Sequence, residues 1–296
     1  MYESHFGLRE VPFSITPDTS FFFGSPHSQE GLNTLLVAAR SGEGFIKITG
    51  EVGTGKTLLC RKFMAMLGDD FVTAYVPNPY LEPRALMLAL ADELEIALPR
   101  DVGQHELVKA LSTRLLELAA RGKHVVLCLD EAQALPIDSL EALRLLTNLE
   151  TEKRKLLQIV LFGQPELNAH LASPQIRQLA QRITFHYHLG ALRRDDLDFY
   201  LAHRLRVAGF TGARLFDKRA VNALFRAAGG IPRLVNIIAH KALMLAYGEG
   251  RQQVAKRHVA LAARDTVGTT RRAWPWFAGL AVAASLAGGI TMALTR

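Results

Sequence analysis

The stretch Phe45-Ile46-Lys47-Ile48-Thr49-Gly50-Glu51-Val52-Gly53-Thr54-Gly55-Lys56-Thr57 decides how this chain is read. Its first five residues, β-branched and aromatic, predict a short strand. Gly50 to Thr57 is a glycine loop ending in lysine and threonine, and Leu58, Leu59 and Phe63 then set a helical apolar face. Strand, glycine loop and helix in that order are the setting of a phosphate-binding loop. Gly50, Gly53 and Gly55 allow backbone angles closed to other residues, so the N–H groups from Gly50 through Glu51, Val52, Gly53, Thr54 and Gly55 can turn inward around phosphate oxygens. Lys56 is expected to reach the β- and γ-phosphates and Thr57 to ligate Mg2+. The helix from Thr57 to about Leu67 aims its positive end at the same anion. ATP and Mg2+ are the cofactors this pattern implies.

A chain of 296 residues suits two soluble domains, or one large domain with an appendage. Its two cysteines, Cys60 and Cys128, both lie in apolar stretches. They read as buried free thiols, without a disulfide framework or a zinc site, in a reducing compartment. Met1 to Ser20 is mixed and polar, unlike a signal peptide. The formal charge of +7 fits nucleic acid, an acidic membrane face or plain solubility. Its distribution is more telling: Arg251, Lys256, Arg257, Arg264, Arg271 and Arg272 gather shortly before a C-terminal apolar run.

No residue from Ala273 to Thr295 is charged. About 20 apolar residues span the hydrocarbon core as a helix, so residues 273–295 are expected to form a transmembrane helix. Trp274 and Trp276 suit the interfacial belt, and Arg271 with Arg272 suits the cytoplasmic side. Gly279, Ala283 and Ala287, four residues apart, would permit close helix pairing. This reading puts residues 1–272 on the cytoplasmic side of the inner membrane, anchored by one span.

A second apolar strand, His124 to Leu129, runs into Asp130-Glu131. An apolar strand followed by two acids, downstream of a phosphate loop, is the Walker B pattern. Asp130 would hold Mg2+ and Glu131 would polarise the attacking water, because phosphoryl transfer needs charge neutralisation and a placed water rather than a covalent nucleophile. Another strand, Phe71 to Val76, lies between the two motifs in sequence, followed by helices at Pro83–Leu94 and Glu106–Ala120. A strand inserted between the Walker strands marks the additional-strand ATPases. Leu140, Leu143, Leu146 and Leu149 set an amphipathic helix before a fourth strand, Leu156 to Phe162. A fifth strand, Ile183 to Leu189, follows a helix carrying Arg177 and Arg182. Four helical patterns come next, at Leu192–Ala208, Lys218–Ala228, Pro232–Tyr247 and Lys256–Thr266, punctuated by glycines.

The expected fold class is therefore α/β: a three-layer P-loop core of the AAA+ type with a five-stranded parallel sheet, a small all-α lid, and a C-terminal transmembrane helix. In residues, 1–40 form an N-terminal segment leading into the core, 41–191 the ATPase core, 192–267 the helical lid, 268–272 a basic linker and 273–295 the span.

The resemblance then becomes specific. Phe6-Gly7-Leu8-Arg9-Glu10-Val11-Pro12-Phe13, Pro17-Asp18 and Phe21-Phe22-Phe23 resemble the start of the general secretion pathway protein A family, which includes the ATPase of mannose-sensitive haemagglutinin pilus biogenesis. Asp130-Glu131-Ala132-Gln133, Leu161 to Leu167 and Gly229-Gly230-Ile231-Pro232-Arg233-Leu234-Val235-Asn236 are similar to the same family. The similarity covers roughly residues 1–265. It implies that Gln164 is the sensor 1 residue contacting the γ-phosphate or the water, and that Arg233 is the sensor 2 residue reporting nucleotide state to the lid. It implies further that Arg182, with Arg177 as runner-up, is an arginine finger reaching a neighbouring subunit, and that Asn78 restrains Glu131 until a partner docks. Secretion-type members of the family continue beyond the membrane into a wall-binding domain. This sequence ends at Arg296, so the expectation is the pilus-biogenesis branch.

Other residues weigh less. His186 and His188 alternate along a strand, with no third metal ligand nearby in sequence. Phe21-Phe22-Phe23 reads as core or as adenine pocket. Arg193-Arg194 beside Asp195-Asp196 reads as a capped, solvated helix start. The expected function is a membrane-anchored, homo-oligomeric ATPase, with nucleotide at subunit interfaces, that serves inner-membrane pilus or type II secretion assembly proteins, nucleic acid not being a partner. The alternatives are a DNA-associated ATPase of the transposition-regulator or initiator type and a nucleotide-gated scaffold with little turnover.

Overall fold

A computed structural model describes residues 2–77, 79–99, 101–147 and 155–266. The expected apolar runs form five strands, β1 (Phe45–Thr49), β2 (Phe71–Val76), β3 (His124–Leu129), β4 (Leu157–Gly163) and β5 (Ile183–His188). All pair in parallel in the order β2-β3-β4-β1-β5. Parallel strands need crossovers, and these carry helices over both faces. α1 (Pro26–Arg40) and α2 (Lys56–Met66) cover one face; α3 (Pro83–Glu93), α4 (Gln104–Ala120) and α5 (Ile137–Leu146) cover the other.

The strand sequences carry this sandwich in their two-residue period. Val126, Cys128, Val160, Phe162, Ile46 and Ile48 pack under α1 and α2. Their neighbours Val125, Leu127, Leu129, Ile159, Leu161 and Phe45 pack under α3, α4 and α5. Both faces are apolar, so the three middle strands are mostly hydrophobic, interrupted by Lys47 in β1 and Gln158 in β4. β5, an edge strand, alternates half-buried with exposed side chains, and His186 and His188 lie on its exposed positions. Among the described residues no cluster of three metal-ligating side chains forms. Cys60 and Cys128 are free and fully buried, as expected.

The strand that separates the two motif strands in space is β4, which pairs with both β1 and β3. The strand between the motifs in sequence, β2, lies outside β3 at the sheet edge. The additional-strand arrangement holds, but sequence order does not identify the inserted strand.

Between β4 and β5 lie α6 (Glu166–Leu171) and α7 (Arg177–Ala180), and after β5 come the lid helices α8 (Arg194–Val207), α9 (Lys218–Ala228), α10 (Pro232–Gly248) and α11 (Lys256–Arg264). The N-terminal residues behave differently from the expectation that they simply lead into the core. Tyr2, Phe6, Leu8, Phe13 and Phe21 are buried among Leu197, Leu201, Leu224, Val235 and Ile238 of the lid helices. Only from α1 does the chain join the sheet layer. The start of α8 also differs: Asp196 is buried and accepts from the Arg193 guanidinium at 3.0 Å, closing a local ion pair where a solvated helix start was expected.

Among the described residues no helix is long and apolar enough to cross a membrane. The expected span at 273–295, the linker at 268–272, Asn78 and Leu149 all lie outside the described residues.

Candidate nucleotide site

The site forms at the carboxyl ends of β1, β3 and β4, where the strand order places β4 between its neighbours. The loop from Gly50 turns directly into α2, whose N-cap is Gly55 in a left-handed conformation (φ 102°, ψ 21°). Two glycines meet a steric requirement as well. A Cβ on Gly50 would stand 2.7 Å from the Leu189 carbonyl oxygen, and one on Gly53 (φ +82°) 2.6 Å from Arg233 Cβ. The second contact joins loop and lid, since the Arg233 N–H donates to the Gly53 carbonyl at 3.1 Å.

Lys56 is buried, and its ammonium donates to the loop's own carbonyls, Gly50 at 2.8 Å and Glu51 at 3.1 Å. Burial lowers its pKa, opposed by the nearby carboxylates of Glu131, Asp130 and Glu51. Thr57 Oγ1 donates to Asp130 Oδ2 at 2.6 Å, and Tyr75 adds a longer contact of 3.4 Å to the same oxygen. Burial raises the Asp130 pKa, with the Thr57 hydrogen bond pulling the other way. A hydroxyl and a buried, incompletely neutralised carboxylate set edge to edge are the hard oxygen donors that Mg2+ requires. The residues fit that ion, and Thr57 with Asp130 would hold it. Bound there beside a triphosphate, it would neutralise charge on the phosphate oxygens.

Glu131 lies one residue further on, in a left-handed backbone conformation (φ 53°, ψ 38°) that is uncommon outside glycine. Its carboxylate oxygen Oε2 accepts from Gln164 Nε2 at 3.1 Å and from Gln133 Nε2 at 2.6 Å. Gln133 in turn accepts the Gln164 backbone N–H at 2.9 Å. In the sequence Gln133 is part of a family motif only, and its position two residues past Glu131 does not predict that the two side chains meet.

These groups open onto a cleft of about 270 Å³ between core and lid. One wall is Val52, Gly53, Gly55, Lys56 and Thr57 with Glu131; the other is Tyr200, Arg204, Arg233 and Asn236 of α8 and α10. Ser14 to Pro17 of the N-terminal segment completes the rim. That strap is tied on both sides. Arg204, buried, donates to the carbonyls of Pro12 at 2.5 Å and Ser14 at 3.1 Å, and Arg61 of α2 donates to Pro17 at 2.7 Å. The Arg204 guanidinium also stacks over the Phe21 ring, 4.5 Å from its centroid. Phe21, Phe22 and Phe23 line a smaller recess with Thr54, Gly55 and Leu58, beside the loop. Phe21 is also buried in the lid core, which bears out core packing for that residue; the recess itself is a candidate place for a base. A wider, open hollow of about 540 Å³ beside α4 contains none of the phosphate-site groups.

The expected residues fall into two sets. The loop, Asp130, Glu131, Gln164 and Arg233 converge on the cleft. Arg182 does not; its guanidinium donates to Thr147 Oγ1 at 3.2 Å and the Arg144 carbonyl at 3.4 Å, at the end of α5. Arg177 is exposed at the start of α7 (Arg177–Ala180).

A parallel sheet of this order, a phosphate loop at its centre, acids on the next strand but one and a helical lid over the cleft define an AAA+ ATPase. Comparison with known proteins agrees: residues 39–171 match the family model described as an AAA domain. Over 293 residues, 99% of this chain, the sequence is 43% identical to general secretion pathway protein A of Aeromonas hydrophila. The chain spans about half the length of that relative, 53%. This bears out the resemblance to the general secretion pathway protein A family. In fold, the chain is similar to Cdc6p from Pyrobaculum aerophilum (TM-score 0.66, 20% identity, 90% of this chain and 71% of that one). It is also similar to the ORC2 protein of Aeropyrum pernix in ADPNP–ADP complexes (TM-score 0.62, 17% identity, 86% and 72%). The RuvB Holliday junction branch migration motor of Thermotoga maritima is more distant (TM-score 0.55, 17% identity, 82% and 70%).

Proposed function

We propose that this chain is a membrane-anchored ATPase that couples ATP hydrolysis to assembly of a pilus or a type II secretion apparatus. The observation that carries the hydrolytic part is the paired contact of Thr57 with Asp130 and of Gln164 with Glu131 at one end of the sheet. In this reading the loop N–H groups and Lys56 bind the β- and γ-phosphates, and Thr57 with Asp130 holds Mg2+. Glu131 accepts hydrogen from the attacking water. Gln164 donates to the γ-phosphate as it forms and breaks contacts. Arg233, whose backbone docks on Gly53, carries the nucleotide state into α10. Arg182 leaves the end of α5 to reach a neighbouring copy of the chain, where such a finger accelerates turnover by about 10³-fold or more. Nucleotide then lies at the interfaces of a homo-oligomer.

Support for the anchored setting comes from sequence and charge. Residues 192–266 hold 14 Lys and Arg against 6 Asp and Glu, and the uncharged run 273–295 follows. A basic domain next to such a run suits the anionic inner face of a membrane. The relative's secretion-pathway name points the same way. Alkaline extraction of membranes from cells carrying the full chain tests the anchor: the protein and its ATPase activity are expected to stay in the pellet. Recovery in the soluble extract would count against it.

One observation favours a second reading. The fold neighbours include Drosophila ORC bound to DNA, and the lid's positive charge suits phosphate backbones. A DNA-associated ATPase would bind duplex DNA with an affinity falling steeply with salt. The anchored reading expects no such binding at physiological salt.

A further inference from the structure

We propose that Gln133 is the positioning residue of the hydrolytic site: it keeps the Glu131 carboxylate aimed while Gln164 changes partner. The inference rests on the reading of Glu131 as the residue that accepts hydrogen from water. Three hydrogen bonds tie these side chains into one unit. Gln133 Nε2 donates to Glu131 Oε2 at 2.6 Å, Gln164 Nε2 donates to the same oxygen at 3.1 Å, and the Gln164 N–H donates to Gln133 Oε1 at 2.9 Å. The backbone donor at Gln164 settles which way the Gln133 amide faces, because only its oxygen can accept that N–H and its NH2 must then face Glu131.

The backbone is shaped for this contact. On a helix, side chains two residues apart do not face each other. Here Glu131 adopts the left-handed conformation, its N–H donating to Asp130 Oδ1 at 3.0 Å and its carbonyl accepting from Ala134 at 2.9 Å. A non-glycine residue is strained there, and strain of that kind collects where function fixes the geometry. The turn brings residue 133 back onto the carboxylate of residue 131.

Gln164 Nε2 carries two N–H donors, one of which meets Glu131 Oε2 at 3.1 Å. A γ-phosphate competes for this amide, and where the side chain turns toward the phosphate its hold on Glu131 Oε2 is released. Gln133 then holds that oxygen alone, and among the described residues no donor occupies Oε1, which is left for water. Through its other end Gln133 also fixes the main chain of the very residue that moved. Gln133 therefore couples the arrival of the γ-phosphate to a carboxylate that stays in place. Its loss would let Glu131 swing without disturbing the loop that binds nucleotide.

The test is steady-state hydrolysis and equilibrium ATP binding on the full chain, comparing wild type with Gln133→Ala, Gln133→Glu, Gln164→Ala and the double variant Gln133→Ala/Gln164→Ala. Misplacement of a reacting group by about 1 Å costs up to ~100-fold, so Gln133→Ala is expected to lower kcat about 10-fold with KM and ATP affinity within about twofold. Gln133→Glu should lose more, since it sets two carboxylates face to face. The double variant should lose less than the product of the single losses, because the residues act as one unit. A Gln133→Ala kcat within twofold of wild type, or a kcat loss matched by lost ATP affinity, would overturn the proposal. Glu131→Gln run alongside separates the two ideas. If it turns over normally, the reading of Glu131 falls and takes this proposal with it; if it is inactive while Gln133→Ala is normal, only the positioning role falls.

Discussion

Two buried cations stand on opposite walls of the cleft, and both are satisfied by main-chain carbonyls. Lys56 draws its acceptors from five and six residues away, within one loop. Arg204 draws its acceptors from 192 and 190 residues away, at Pro12 and Ser14. The first set can be exchanged for phosphate oxygens at the cost of a loop adjustment. The second cannot be released without detaching the N-terminal strap from the lid. On the proposed reading Lys56 is held ready for a ligand, whereas Arg204 builds one wall of the cleft. A phosphate loop is a local object; the cleft around it is assembled from both ends of the chain.

The largest effect that can break this contrast is at Lys56. Lys56→Ala removes the cation proposed to face the phosphates and is expected to weaken nucleotide binding by roughly 100-fold or more, the scale of a lost charge-assisted hydrogen bond in a buried site. Its melting temperature should change little without ligand. Titration with a fluorescent nucleotide checks both halves, and retained affinity would refute the phosphate-loop reading.

Arg204→Ala should reverse the pattern, with stability lost first. Removing a buried, hydrogen-bonded, stacked guanidinium is expected to cost about 3 kcal/mol, or roughly 5–10 °C in melting temperature. Arg204→Lys should recover only part, because an ammonium cannot span both carbonyls and stack on Phe21. A melting temperature equal to that of wild type would remove Arg204 from the role of clamp.

Gly53→Ala sits where the two regions touch. A Cβ there meets Arg233 Cβ at 2.6 Å and the backbone is at φ +82°, so loop and lid must separate. The expected cost is about 1–3 kcal/mol, with ATP affinity reduced about 10-fold. Isothermal titration of the variant measures it, and unchanged affinity would mean the lid need not dock on the loop.

The smallest effect is a pH dependence of stability. Burial raises the Asp130 pKa, so the folded chain keeps a proton that the unfolded chain has already released. Stability contributed by this group is present below the ordinary aspartate value near 3.8 and is lost as pH rises above it. Asp130→Asn should flatten that slope and raise the melting temperature of the nucleotide-free protein at neutral pH while abolishing Mg2+-dependent turnover. Urea unfolding across mildly acidic pH reads the slope; an identical slope in the variant would assign it elsewhere.

What was legible in the sequence follows the same division. Strands buried on both faces announce themselves as apolar runs, and the loop from Gly50 to Thr57 and the acids at Asp130-Glu131 are local patterns with chemical reasons. The lid helices were also readable, Lys218–Ala228 to the residue, because Asp217 caps the start and Gly229 closes the end. Three features were not. That residues 2–21 pack on the lid depends on partners some 200 residues away. That Gln133 meets Glu131 depends on a left-handed turn at a glutamate, which no propensity would assign. That β4 rather than β2 separates the motif strands depends on sheet order, which periodicity does not encode.

The central claim is that the Glu131 end of this cleft hydrolyses what the Lys56 end binds. A single-turnover experiment on full-length Glu131→Gln, with limiting γ-labelled ATP and Mg2+, tests it most directly. The predicted result is label bound about as tightly as by wild type and released as phosphate at least 100-fold more slowly, the scale of a lost general base. Phosphate release at the wild-type rate would contradict the account.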